Sequence, residues 1–74
     1  MRIIVNGEEL ETIERSTISA LIGQLTLASD RLAVELNHEV VRRRDWPHTF
    51  LNEGDHLEII HFVGGGHEIE TANY

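Results

Sequence analysis

Hydrophobic and polar positions alternate with a period of two near both ends of the chain, and follow a helical period in between. The run Arg2–Val5 is β-branched and stops at Asn6-Gly7. Asn-Gly between apolar segments predicts a tight hairpin, because both residues tolerate positive φ. Residues 8–13 form the predicted return strand, with Leu10 and Ile13 as its apolar positions and a frayed or bulged end. Ser16 and Thr17 offer hydroxyls to the free N–H groups of a helix start. Ile18, Leu21, Ile22 and Leu25 follow on one helical face, with Gly23 weakening its second half. Leu32–Leu36 is the next strand, with Leu32, Val34 and Leu36 on one face. A turn at Asn37-His38-Glu39 leads to a short strand beginning at Val40-Val41. Pro47 disfavours helix at Trp46, so residues 42–47 read as a break. Phe50-Leu51 is a brief apolar pair, Asn52-Glu53-Gly54-Asp55 a turn, and His56–Val63 the last strand.

This order predicts an α+β domain, a mixed sheet of four to five strands packed on one main helix. In the last strand, Leu57 and Ile59 point at the helix, which puts Ile60 and Phe62 on the open face. An aromatic and a branched aliphatic there suggest a docking patch. Cover by the loop around Trp46 is the equal alternative. Gly64, Gly65 and Gly66 come next. By composition they suit a flexible linker; functionally they suit a thin arm that threads a narrow channel.

Composition removes several function classes. A chain of 74 residues is one small domain, without room for a core and a deep cleft together. That favours a carrier, adaptor or binding module over an enzyme. Thirteen acidic against six basic side chains give a formal charge of −7. Such a surface repels phosphate backbones and suits a basic cleft on a partner protein. No apolar run approaches the roughly 20 residues that span a bilayer, and the N-terminus does not resemble a signal peptide. The expectation is a cytoplasmic protein that binds neither nucleic acid nor membrane. There is no cysteine, which excludes disulfides and thiolate chemistry. His38, His48, His56, His61 and His67 show no metal-binding spacing, so no metal site is expected. Arg42-Arg43-Arg44 is the one basic cluster, either solvated or set against an acidic partner.

Taken in order, several segments resemble the ThiS family of sulfur carriers. They are Val5-Asn6-Gly7-Glu8, Ser16-Thr17-Ile18 before Leu21-Ile22, and Ala33-Val34-Glu35-Leu36-Asn37. Val41, Asp45-Trp46 and Glu53-Gly54-Asp55 continue the series. Ile59-Ile60-His61-Phe62-Val63-Gly64-Gly65-Gly66 closes it and is the most specific stretch. The resemblance implies a β-grasp (ubiquitin-like) fold over residues 1–66, ending in a glycine arm whose sulfur-carrying end is Gly65-Gly66. It implies adenylation of the Gly66 carboxylate by a ThiF-type enzyme that uses ATP. Sulfur then comes from a cysteine desulfurase or sulfur-transfer protein. The resulting thiocarboxylate serves a ThiG-type thiazole synthase in thiamine biosynthesis. The carrier itself is no enzyme and holds no cofactor permanently. Ile60, Phe62, Val63 and Gly64 are the partner-docking positions.

Two departures stand out. Family members usually end at the diglycine, whereas residues 67–74 follow Gly66 here. They are expected to form a short flexible tail, removed by a protease before Gly66 can be activated. His38 also stands where glycine often follows the asparagine, a less favourable tight turn. Three rival readings remain. One is a carrier for another product, such as molybdopterin, cysteine or a secondary metabolite. Another is a ubiquitin-like modifier joined through Gly66. The third is a non-covalent β-grasp adaptor, which would tolerate Gly65→Ala and Gly66→Ala.

Overall fold

The structure is a computed structural model and describes residues 1–63 and 68–71. Strand β1 (Arg2–Val5) turns into β2 (Glu8–Glu11). Asn6 and Gly7 have φ of 51° and 83°. Both central residues of the turn are thus left-handed, the geometry whose twist matches an antiparallel pair. Ile3 and Val5 are fully buried, while Ile4 between them faces the other side of the sheet.

The return strand ends at Glu11, two residues short of the predicted end, and Ile13 is 80% exposed. Strict alternation explains the difference. Leu10 lies opposite the buried Ile3, so position 12 rather than 13 points inward next. Thr12 fills it, buried, and its Oγ1 donates to Gln24 Oε1 at 2.8 Å. Gln24 Nε2 donates back to the Glu11 carbonyl at 3.0 Å. A polar link thus joins the end of β2 to the helix where an apolar contact was expected.

Helix α1 (Ile18–Gln24) starts at Thr17, whose Oγ1 accepts the Ala20 N–H at 3.1 Å. Its buried side chains are Ile18, Leu21 and Ile22, with Leu25 packed against the same core. A 3₁₀ turn at Ser29–Arg31 precedes β3 (Leu32–Leu36). Asn37 and His38 turn the chain into β4 (Glu39–Val41) with φ of 51° and 73°. The geometry matches that of the first hairpin, with His38 in the place Gly7 occupies there.

Residues Arg43–His48 form a 3₁₀ helix that contains Pro47, where a break was predicted. Proline's fixed φ is itself helical, and one short helix loses only one bond to it. Burial of Trp46 drives the element. The indole is 3% exposed, and its Nε1 donates to the Val41 carbonyl at 2.9 Å. The Arg43 guanidinium lies 5.5 Å from the ring centroid, so one of the three arginines supports the core edge.

Strand β5 (His56–Val63) lies at the centre of the sheet, in the order β2-β1-β5-β3-β4. It runs parallel to β1 through Ile4↔His56 and Val5↔Leu57. It runs antiparallel to β3 from Leu32↔His61 to Leu36↔Leu57. Leu57 and Ile59 are buried beneath α1, as predicted. Strand β6 (Glu68–Thr71), where no element was predicted, pairs antiparallel with β5 from Ile60↔Thr71 to Val63↔Glu68.

Candidate functional site

The candidate site is the second half of β5, which leads from the sheet into the glycines. Alternation puts Ile60 and Phe62 on the face away from α1. Ile60 is half-buried opposite Ala33, and Phe62 is 37% exposed. The Trp46 loop does not cover them. Trp46 belongs to the core that also holds Leu57 and Ile59, on the opposite face. Ile60, Phe62 and the main chain of Val63 therefore lie consecutively along one strand. Gly64, Gly65 and Gly66 lie outside the described residues.

The open face has an acidic half and an apolar half. Glu58 stands directly across from Glu35, and no Lys or Arg is within ion-pair distance of either carboxylate among the described residues. Like charges opposite one another cost stability, and a cation from outside would relieve the pair. A groove of about 320 Å³ beside them is lined by Ile4, Gly7, Glu35, His38, His56 and Glu58, with Leu57 at its floor. Val40, 71% exposed, lies opposite Glu35 on the same face. Among the described residues no three His, Asp or Glu side chains have the geometry to hold a metal. His56 and His61 fall on opposite faces of β5, as the alternation required. No helix among the described residues is long and apolar enough to cross a membrane.

Two asparagines hold β5 in place, a role the sequence did not reveal. The Asn6 Oδ1 accepts the Ile59 N–H at 2.7 Å, and its Nδ2 donates to the Ile59 carbonyl at 3.3 Å. The carboxamide thus continues the β1 ladder by one more residue. Asn37 does the same at the other edge, where its Oδ1 accepts the His56 N–H at 2.9 Å. Its Nδ2 donates to Asp55 Oδ1 at 3.1 Å. Each asparagine was legible as a turn former, because Asn tolerates left-handed φ. Its second function depends on a strand distant in sequence.

Asn6→Ala is expected to destabilise the domain by about 2–4 kcal/mol. It strands two main-chain groups of Ile59 and replaces Asn, which tolerates the left-handed φ of 51°, with Ala, which tolerates it less well. Asn6→Gly removes only the bonds, so its urea midpoint should fall between those of Asn6→Ala and the parent.

Taken together, the central parallel pair, the antiparallel hairpins and the single helix over one face define a β-grasp domain. The crystal structure of the thiamine biosynthesis protein (ThiS) from Geobacter metallireducens shares this fold, with a TM-score of 0.78 and 32% identity. That match covers 88% of this chain and 99% of the other. The ThiS family model matches residues 3–66, and the chain belongs to the ThiS family. The sulfur carrier protein ThiS of Bacillus subtilis is 32% identical over 63 residues, 84% of this chain and 96% of its own. A thiazole synthase of Paramagnetospirillum magneticum is 41% identical over 66 residues, 89% of this chain. The chain spans only about a fifth of the length of that synthase, the match covering 20% of it.

Proposed function

We propose that residues 1–66 are a sulfur carrier of thiamine biosynthesis, and that Gly66, once freed as a C-terminus, carries the sulfur. The observation that supports this most is the extent of the family match, which runs through β5 to Gly66 itself. In the intact chain the Gly66 carbonyl is bonded to His67, so residues 67–74 must first be hydrolysed away. The freed carboxylate attacks the α-phosphorus of ATP on an adenylating enzyme of the ThiF type, and pyrophosphate leaves. Persulfide sulfur from a cysteine desulfurase or sulfur-transfer protein then attacks the acyl carbon, and AMP leaves. A thiol cleaves the resulting acyl disulfide and frees the glycyl thiocarboxylate. The carrier contributes no catalytic side chain and keeps no cofactor. It contributes a docking face at Ile60, Phe62, Val63 and Gly64, and an arm.

The acceptor in this reading is a thiazole synthase of the ThiG type. The similarity to a segment of longer chains named thiazole synthase supports it. Adenylation uses ATP and release of the thiocarboxylate uses a thiol, which suits a carrier working in the cytoplasm.

The test is the intact mass of the protein recovered from its native cells under thiamine starvation. A species ending at Gly66, part of it with one oxygen replaced by sulfur, is the expected result. If every molecule retains residues 67–74 and none carries the extra sulfur, the carrier reading falls. An adaptor that works uncut then takes its place.

A further inference from the structure

The β1-side edge of β5 changes hands partway along. Ile4 N–H donates to the Asp55 carbonyl and Asn6 N–H to the Leu57 carbonyl, each at 2.9 Å. The Asn6 carboxamide then takes both main-chain groups of Ile59. There β1 ends, because Asn6 and Gly7 turn the chain away into β2. Main-chain groups alternate sides along a strand, so the next ones on this edge belong to His61 and Val63. In the intact chain β6 pairs with them, through His61↔Glu70 and Val63↔Glu68.

Uncovered, this edge is reactive. Residues 59–66 contain no Lys, Arg, Asp or Glu, the side chains that ordinarily keep an edge strand from pairing with other chains. Among the residues whose burial is described, every core residue lies between Ile3 and Ile59, ahead of β6 in the chain.

We infer that the edge of β5 from Ile60 to Val63 is a strand-addition site, filled in the intact chain by β6 and afterwards by an extended segment of the adenylating partner. The inference rests on the carrier reading in one respect: the cut after Gly66 is what removes β6. A single hydrolysis then frees the carboxylate and opens the edge that docks it. The incoming segment runs antiparallel, as β6 does. It carries an apolar residue opposite Phe62 and a basic residue toward Glu58, since the facing Glu35 and Glu58 have no ion-pair partner among the described residues.

Residue-resolved amide hydrogen exchange tests this. In the full chain, Glu70→Pro removes an N–H that faces β5 and should speed exchange at His61 and Val63 by about tenfold or more. Ile69→Pro loses an N–H that points away from β5 and should leave both amides protected, while Val34 remains protected in each variant. A chain ending at Gly66 should match Glu70→Pro, and a synthetic peptide of residues 67–74 should slow both amides again. A saturating ThiF-type enzyme should do the same and displace that peptide. Equal exchange in all forms overturns the site. An enzyme that binds and leaves both amides open overturns the partner strand. If the enzyme neither binds nor adenylates, the carrier reading fails and the assigned partner with it. The peptide result still decides whether the edge accepts a strand.

Discussion

A chain ending at Gly66 is expected to support ATP–pyrophosphate exchange with a ThiF-type adenylating enzyme, whereas the chain that continues through residues 67–74 gives only background. The difference is one of chemistry rather than affinity. A carboxylate has an anionic oxygen that attacks phosphorus. The amide that joins Gly66 to His67 delocalises its lone pair into the carbonyl and offers no such nucleophile. Exchange by both forms at similar rates would mean that the enzyme activates some other group, and the assignment of Gly66 would be withdrawn. Exchange by neither would favour a non-covalent role for the domain.

Trp46→Ala should be the most damaging single substitution in the fold. Truncating a buried tryptophan costs about 3–5 kcal/mol. The whole stability expected of a domain this size is about 4–11 kcal/mol. Two further losses add to the cavity. The Val41 carbonyl loses its indole donor, and the Arg43 guanidinium loses the ring it lies against. The expected outcome is a protein largely unfolded at 37 °C or with a urea midpoint near zero, measured by far-ultraviolet circular dichroism. Trp46→Phe retains most of the apolar volume and should remain folded. A Trp46→Ala protein as stable as the parent would show that the 3₁₀ segment packs independently of the core.

The same residues show where sequence reading succeeds and where it stops. Arg2–Val5 was legible from its β-branched run and the Asn-Gly that ends it, and Leu32–Leu36 and His56–Val63 from alternation next to turn residues. Ile13 was misplaced because its hydrophobicity outweighed its parity; counting from Leu10 puts Thr12 inside. The 3₁₀ helix at Arg43–His48 was hidden by Pro47, since local propensity does not register the burial of Trp46. Strand β6 follows a run of glycines that carries no periodicity, and its partner strand precedes that run. The asparagine bonds to β5 join positions 53 and 19 residues apart, a distance no window along the chain spans. At the candidate site, the alternation of β5 placed Ile60 and Phe62 correctly on the face away from the helix. The cover on the neighbouring edge could not be read, because it depends on where β1 runs out.

The place of β5 between β1 and β3 also constrains how the molecule is made. The two hairpins, β1–β2 and β3–β4, share no ladder with each other; each joins the sheet only through β5. A ribosome that has translated as far as Leu51 has therefore produced two hairpins with no strand between them to join their ladders. Closure waits for Leu57 and Ile59, contacts of long sequence separation that form late and slowly. The segment that completes the sheet is also the one that leads into the glycines. A polypeptide aborted before it remains open for proteolysis, so quality control can discard it before it competes for a partner.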